Sequence, residues 1–112
     1  MSQITTHVLD TAYGRPAVDV PVALFDEEGV KIATGRTDDD GRIGVLGPNH
    51  LHPGIYRLSF DTGEYFARTN RKTFFPIVTI DFTVPETNID PVQNYHVPLL
   101  ISPFAFSTYR GS

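Results

Sequence analysis

Turn-forming residues recur so regularly along this chain that no apolar run grows long. Nine Gly and nine Pro are spread through 112 residues and divide them into short stretches rich in β-branched and aromatic side chains. These stretches are ITTHVLD, VPVALFD, VKIATGR, RIGVL, IYRLSFD, FFPIVTIDFTV, NYHVPLLI and PFAFSTYR. Between them lie GRPAVD, EEG, TDDDG, GPNHLHPG and PETNIDP. Short strands at regular spacing, joined by Gly, Pro and Asp turns, predict an all-β antiparallel sandwich or barrel. Prolines inside the runs predict edges or bulges at those points. TGEYFARTNRK departs from the pattern and reads as a short surface helix, with Thr62 as its N-cap and Gly63 weakening it.

One domain spanning residues 1–112 is expected, long enough to bury roughly two thirds of its unfolded surface. The 40% hydrophobic content, with eight Phe and five Tyr, fits a packed core. The net charge is −4 and the nine basic residues are scattered, so neither nucleic acid nor an anionic membrane is an expected partner. The lack of cysteine removes disulfides, thiolate metal sites and cysteine nucleophiles. MSQITTHVLD lacks the charged and apolar regions of a secretory signal, and no apolar run approaches membrane-spanning length, so the cytoplasm is the expected compartment.

Alternate residues of a strand face opposite sides of its sheet. Ile4, Thr6 and Val8 therefore share one face, and Thr5, His7 and Leu9 the other. Tyr95, Val97, Leu99 and Ile101 form a continuous apolar face, opposite Asn94, His96, Pro98 and Leu100. In the last run Phe104 and Phe106 read as core, with Ser107 and Tyr109 on the other side. His7, His96 and Tyr109 thus fall on outer faces, among the apolar Leu9, Pro98 and Leu100. Apolar residues on a nominally wet face predict a partner surface, of which a second copy is the simplest.

His50 and His52 have a spacing that suits zinc or copper, but they lie in a loop with no neighbouring acid, and solvated histidines are the plainer account. TDDDG lacks the ligands that an EF-hand needs at Arg36 and Gly47, and reads as an Asp-rich turn. No phosphate loop, dinucleotide fingerprint or nucleophile-elbow serine is present. His7 and His96 are the more informative pair. An imidazole can take a proton from water and return it near neutral pH. A guanidinium beside it, from Arg42 or Arg110, could hold a flat carbonyl-rich ligand by paired hydrogen bonds. Taken singly, a strand histidine is more often structural.

HVLDTAYGRPAVDVPV (His7 to Val22) and YHVPLLISPFAFSTYRGS (Tyr95 to Ser112) resemble the two signature segments of the transthyretin family. The final YRGS resembles the tetrapeptide of its enzymatic, 5-hydroxyisourate-hydrolysing branch. TDDDGRI, GIYRLSFDTGEYF and FFPIVTIDF follow in the family's order, so the resemblance spans nearly the whole chain. It implies an eight-stranded β-sandwich with a short helix after the fifth strand, assembled as a homotetramer with active sites where two dimers meet. It also implies catalytic roles for His7, Arg42, His96 and Ser112, and substrate contacts from His7, Arg42, Tyr109, Arg110 and Gly111. No cofactor or metal is implied. The sequence departs from the family pattern at Asn94, where His is frequent, and at Ile101, Ala105 and Phe106, where Leu, Gly and Tyr are usual.

The reaction so implied is opening of 5-hydroxyisourate to 2-oxo-4-hydroxy-4-carboxy-5-ureidoimidazoline by water attack on a ring carbonyl. His7 and His96 would orient and deprotonate the water, Ser112 would assist the proton relay, and Arg42 would hold the ring and its growing negative charge. Two other readings remain at this point. One is a carrier that holds an aromatic ligand in a central channel; the other is a metal-dependent hydrolase using His7, His96 and the loop histidines.

Overall fold

The computed structural model describes residues 2–86 and 93–111. Among these residues nine strands and one helix follow one another as β1 (Ile4–Asp10), β2 (Arg15–Pro16), β3 (Pro21–Phe25), β4 (Lys31–Arg36), β5 (Arg42–Ile43), β6 (Gly54–Phe60), α1 (Thr62–Arg68), β7 (Val78–Val84), β8 (Tyr95–Ser102) and β9 (Ala105–Thr108). Each of the eight expected runs contains a strand, and the two-residue β2 is additional. The strands form two sheets, one ordered β2-β1-β8-β9 with β5 also on β1, the other β4-β3-β6-β7. Ile4, Val8, Leu99 and Ile101 from the first sheet and Leu24, Leu58 and Phe60 from the second form the fully buried centre between them.

One pairing departs from the antiparallel expectation. β1 runs parallel to β8, in register from Ile4↔Tyr95 to Asp10↔Ile101. No hairpin joins these two strands; the chain between them passes through the other sheet, which is the long crossover a parallel pair requires. The remaining ladders are antiparallel.

Phe104 and Phe106 are not core. Phe104 lies in the turn between β8 and β9 and is 70% exposed. Phe106 pairs with the inward Ile101, so its parity is as expected, but β9 is an edge strand whose four residues are all exposed. Its ring packs edge-on against Phe75 instead, 5.1 Å between centroids.

The helix is capped one residue earlier than expected. Asp61, not Thr62, accepts from the Glu64 amide, while the Thr62 hydroxyl donates to the Phe75 carbonyl. The helix also stops at Arg68 and buries Tyr65 and Phe66, so it is a core element rather than a surface one. Gly63 is explained by contact: its amide donates to Pro76, and a Cβ there would stand 3.0 Å from the same carbonyl oxygen.

Beside the helix, Asp10 is fully buried and paired with Arg71, whose guanidinium stacks 3.7 Å from the Tyr13 ring centroid. The Tyr65 hydroxyl donates to the same carboxylate at 2.6 Å. Burial works to raise the Asp10 pKa, but hydrogen bonds from Arg71, Tyr65 and the Tyr13 amide outweigh it and hold the carboxyl below its usual range.

Candidate active site

The outer face of the first sheet carries the expected chemistry because the inner face is fixed by the core. With Ile4, Thr6 and Val8 buried inward, Thr5 and His7 must project outward. The parallel register sets Thr5 beside His96 and His7 beside Pro98, so the two histidines are one diagonal step apart on one face. That face is drier than simple alternation predicts: Leu9 and Leu100 are half-buried and Pro98 is buried.

Arg42 reaches this face through β5, where it pairs with His7. The turn before it is set by Asp38, whose carboxylate accepts from the Asp40 and Arg42 amides at 2.9 and 3.0 Å. Gly41 lets this turn lie against β1. Its φ is +77°, its carbonyl accepts from the Val8 amide at 2.7 Å, and a Cβ there would sit 2.3 Å from the Val8 oxygen. TDDDG is therefore an Asp-rich turn that delivers an arginine to a histidine.

The chain beyond β9 stays in register with β8. Leu99 pairs with Thr108, and the same count leads to the bridge between His96 and Gly111. The ladder breaks between them at Pro98, which has no amide to donate on that side. The Thr108 hydroxyl donates to the Pro98 carbonyl at 2.7 Å, and the Gly111 amide rejoins β8 at the His96 carbonyl, 2.8 Å away.

His96 is consequently held on two sides. Its Nδ1 is 2.9 Å from the Thr5 hydroxyl, and a Cβ on Gly111 would stand 2.6 Å from its Cδ2. The Nε2 edge of the ring remains. Burial, and after it the charges of Arg42 and His7, hold the His96 pKa below its usual range, against a hydrogen bond to the Thr5 backbone. A half-buried imidazole neutral at physiological pH is suited to accept a proton. His7 directs Nε2 at the Asp40 carbonyl, 2.9 Å away.

His96 lies between two concavities. One, about 280 Å³, is lined by Thr5, Arg42, Asn94 and His96. The other, about 380 Å³ and open along the edge between β7 and β9, is lined by His96, Tyr109, Arg110 and residues of β7. A larger depression of about 460 Å³ on the outer face of the second sheet holds the exposed Arg57–Asp81 ion pair and no histidine.

Of the sequence-predicted site residues, His7, Arg42, His96 and Gly111 meet on this face. Tyr109 is exposed at its edge. Arg110 turns the other way, its guanidinium 5.0 Å from the Tyr95 ring centroid and donating to Gln93. Ser112 lies outside the described residues. His50 and His52 are exposed in their loop, and neither lines the concavities beside His96. Among the described residues no three His, Asp or Glu side chains converge closely enough to hold a metal ion.

The model of the HIUase/Transthyretin family matches residues 4–111. The chain belongs to this family. It is similar to the 5-hydroxyisourate hydrolase of Salmonella typhimurium, with 43% identity over 113 residues that cover 97% of this chain and 80% of that protein. Among solved structures, the 5-hydroxyisourate hydrolase of Klebsiella pneumoniae matches with a TM-score of 0.85 at 38% identity, covering 97% of this chain and 98% of that one. Sea bream transthyretin in complex with thyroxine matches with a TM-score of 0.86 at 27% identity, covering 97% and 94%. Backbone likeness is therefore nearly equal for these two structures and does not by itself separate them.

Thr5 is the site residue that the sequence reading passed over. Alternation puts it on the outer face, but only the parallel pairing of β1 with β8 sets it beside His96, and no sequence signal carries that pairing.

Proposed function

We propose that this protein is a 5-hydroxyisourate hydrolase of urate degradation, opening the ring at a cyclic amide C–N bond. The observation that carries the reading is the gathering of His7, Arg42 and His96 on one sheet face, with Gly111 packed on the His96 ring. A carrier has no need of a neutral imidazole beside a guanidinium. A hydrolase uses one to take a proton from water and the other to stabilise the carbonyl oxygen as it gains charge. The substrate is already reactive, so positioning and one proton transfer are the main tasks. Arg42 holds the ring, Tyr109 and Gly111 border the site, and Ser112 is the further candidate for proton relay.

The active protein is a cytoplasmic homotetramer, a dimer of dimers with sites where the dimers meet. Support comes from the exposed edge strand β9, from Tyr109 at 59% exposure and from Leu9 and Leu100 on the outer face. No helix among the described residues is long and apolar enough to cross a membrane.

Coupling urate oxidase to the protein and following ultraviolet decay of the oxidation product tests the activity. Decay faster than the spontaneous rate is expected. Decay at the spontaneous rate, together with tight binding of aromatic ligands, would instead make the protein a carrier.

A further inference from the structure

We propose that Thr5 and Asn94 are positioning residues that set the tautomer of His96 and leave its Nε2 as the proton acceptor of the site. This deepens the hydrolase reading and rests on it for the identity of the water that gives up the proton.

The direction of the hydrogen bonds follows from the backbone inward. The Gln3 carbonyl can only accept, and Asn94 Nδ2 lies 3.0 Å from it. That fixes the amide: its NH₂ faces Gln3 and its Oδ1 faces away. The Tyr95 amide donates to the same carbonyl at 2.8 Å, which anchors the acceptor to the strand. Asn94 Oδ1 is then an acceptor 3.4 Å from the Thr5 hydroxyl, and the hydroxyl proton points to it. A hydroxyl has one proton. Toward His96 Nδ1, 2.9 Å away, Thr5 can only accept, so Nδ1 carries hydrogen. In the neutral ring the lone pair is consequently on Nε2. The Thr5–Asn94 step is the longest in the chain and the one the experiment addresses.

His7 has the opposite arrangement. Its Nε2 faces the Asp40 carbonyl, which only accepts, so that nitrogen is a donor and is not free to take a proton. The two imidazoles therefore divide the work. The water proton passes to His96 Nε2 while the water oxygen bonds to the ring carbonyl carbon and the C=O electrons move to oxygen beside Arg42. Collapse of that adduct re-forms C=O, breaks the C–N bond and returns the proton from Nε2 to the leaving nitrogen. One water is added and no co-reactant is required.

Nitrogen-15 NMR of the labelled full-length protein, without substrate, reads the tautomer directly, and steady-state kinetics are measured on the same samples. His96 in the unmodified protein is expected as the Nδ1–H form. Thr5→Val, close in shape, should give a mixture of tautomers and lower kcat about 10–100-fold, the range carried by outer partners of functional histidines. KM should hold, and Thr5→Ser should restore both tautomer and rate. Asn94→Ala, at an exposed position where folding is not at stake, should loosen the tautomer in the same direction. An Nε2–H signal in the unmodified protein overturns the proposal, as does an unchanged tautomer in Thr5→Val. Failure of the unmodified protein to hydrolyse substrate would remove the hydrolase reading, while an Nδ1–H His96 would still support the positioning chain.

Discussion

Replacing Gly111 by alanine asks one methyl group to share space with the His96 ring. The Gly111 backbone is not in the left-handed region, so alanine meets no objection from φ; the obstacle is the imidazole, 2.6 Å from the new Cβ at Cδ2 and 3.2 Å at Cγ. Carbon atoms rest at about 3.5–4.0 Å, so ring or tail must move by roughly 1 Å. The tail is tied to the His96 carbonyl at 2.8 Å and the ring to Thr5 at 2.9 Å, so one of these bonds is given up. A misplacement of about 1 Å in a positioned group costs on the order of 10²-fold in rate. The fold should lose only one peripheral hydrogen bond, about 0.5–1.5 kcal/mol. The coupled ultraviolet assay gives the rate, and thermal unfolding gives the stability. The expected outcome is a large loss of kcat with a nearly unchanged melting temperature. Parental turnover in Gly111→Ala would show that the His96 ring position does not matter, and the reasoning would fail. A collapse of both turnover and stability would make the tail a structural strap instead.

Five further outcomes are expected. His96→Ala should remain folded and lose about 10²–10⁴-fold in kcat, the contribution of a positioned base, and His7→Ala should also remain folded and lose activity; full turnover in both would remove their assigned roles. The acidic limb of the kcat/KM–pH profile should fall below 6.5, the ordinary imidazole value, because the His96 pKa is lowered and a base is active only above it. Arg42→Gln, by removing one of the charges that add to burial, should move the His96 NMR titration upward, and a downward move would contradict this. Asp10→Ala should destabilise by about 3–5 kcal/mol in urea unfolding, because Arg71 is left without its buried partner. The Asp10 pKa is depressed in the fold, so its contribution is full above the unfolded value of 3.8 and is lost as pH falls through the folded one. Light scattering should give a tetramer, and a monomer that hydrolyses substrate at full rate would separate activity from assembly.

What the sequence made legible was whatever alternation controls. His7 and His96 sit outward because Ile4, Val8, Val97 and Leu99 sit inward, and a period of two carries that information without any tertiary knowledge. Arg42 could be seen as following a glycine turn, but not why that turn must lie on β1; the reason is the Gly41 contact with Val8, more than thirty positions away. Phe106 shows where alternation ends. It gives the face correctly, yet burial depends on whether the opposing sheet extends over that point, and at β9 it does not. Thr62 lost the cap to Asp61 because either residue can serve and only the packing of Phe75 decides which side chain is already engaged. Arg110 belongs to the same class: register places it opposite Val97, on the face away from His96, and no motif records register.

The precision of the site is inherited from the core rather than built separately. A one-residue slip of β1 against β8 would turn Thr5 and His7 inward and expose Ile4 and Val8, and burial of those two side chains forbids it. The tail obeys the same register after skipping a single rung at Pro98, so the core that fixes Leu99 also fixes where Gly111 meets His96. This explains how a carrier and a hydrolase can share one backbone at nearly equal likeness. The scaffold supplies a rigid outer face; the few side chains it presents there, and the direction of the hydrogen bonds behind them, determine whether that face merely holds a flat ligand or takes a proton from the water beside it.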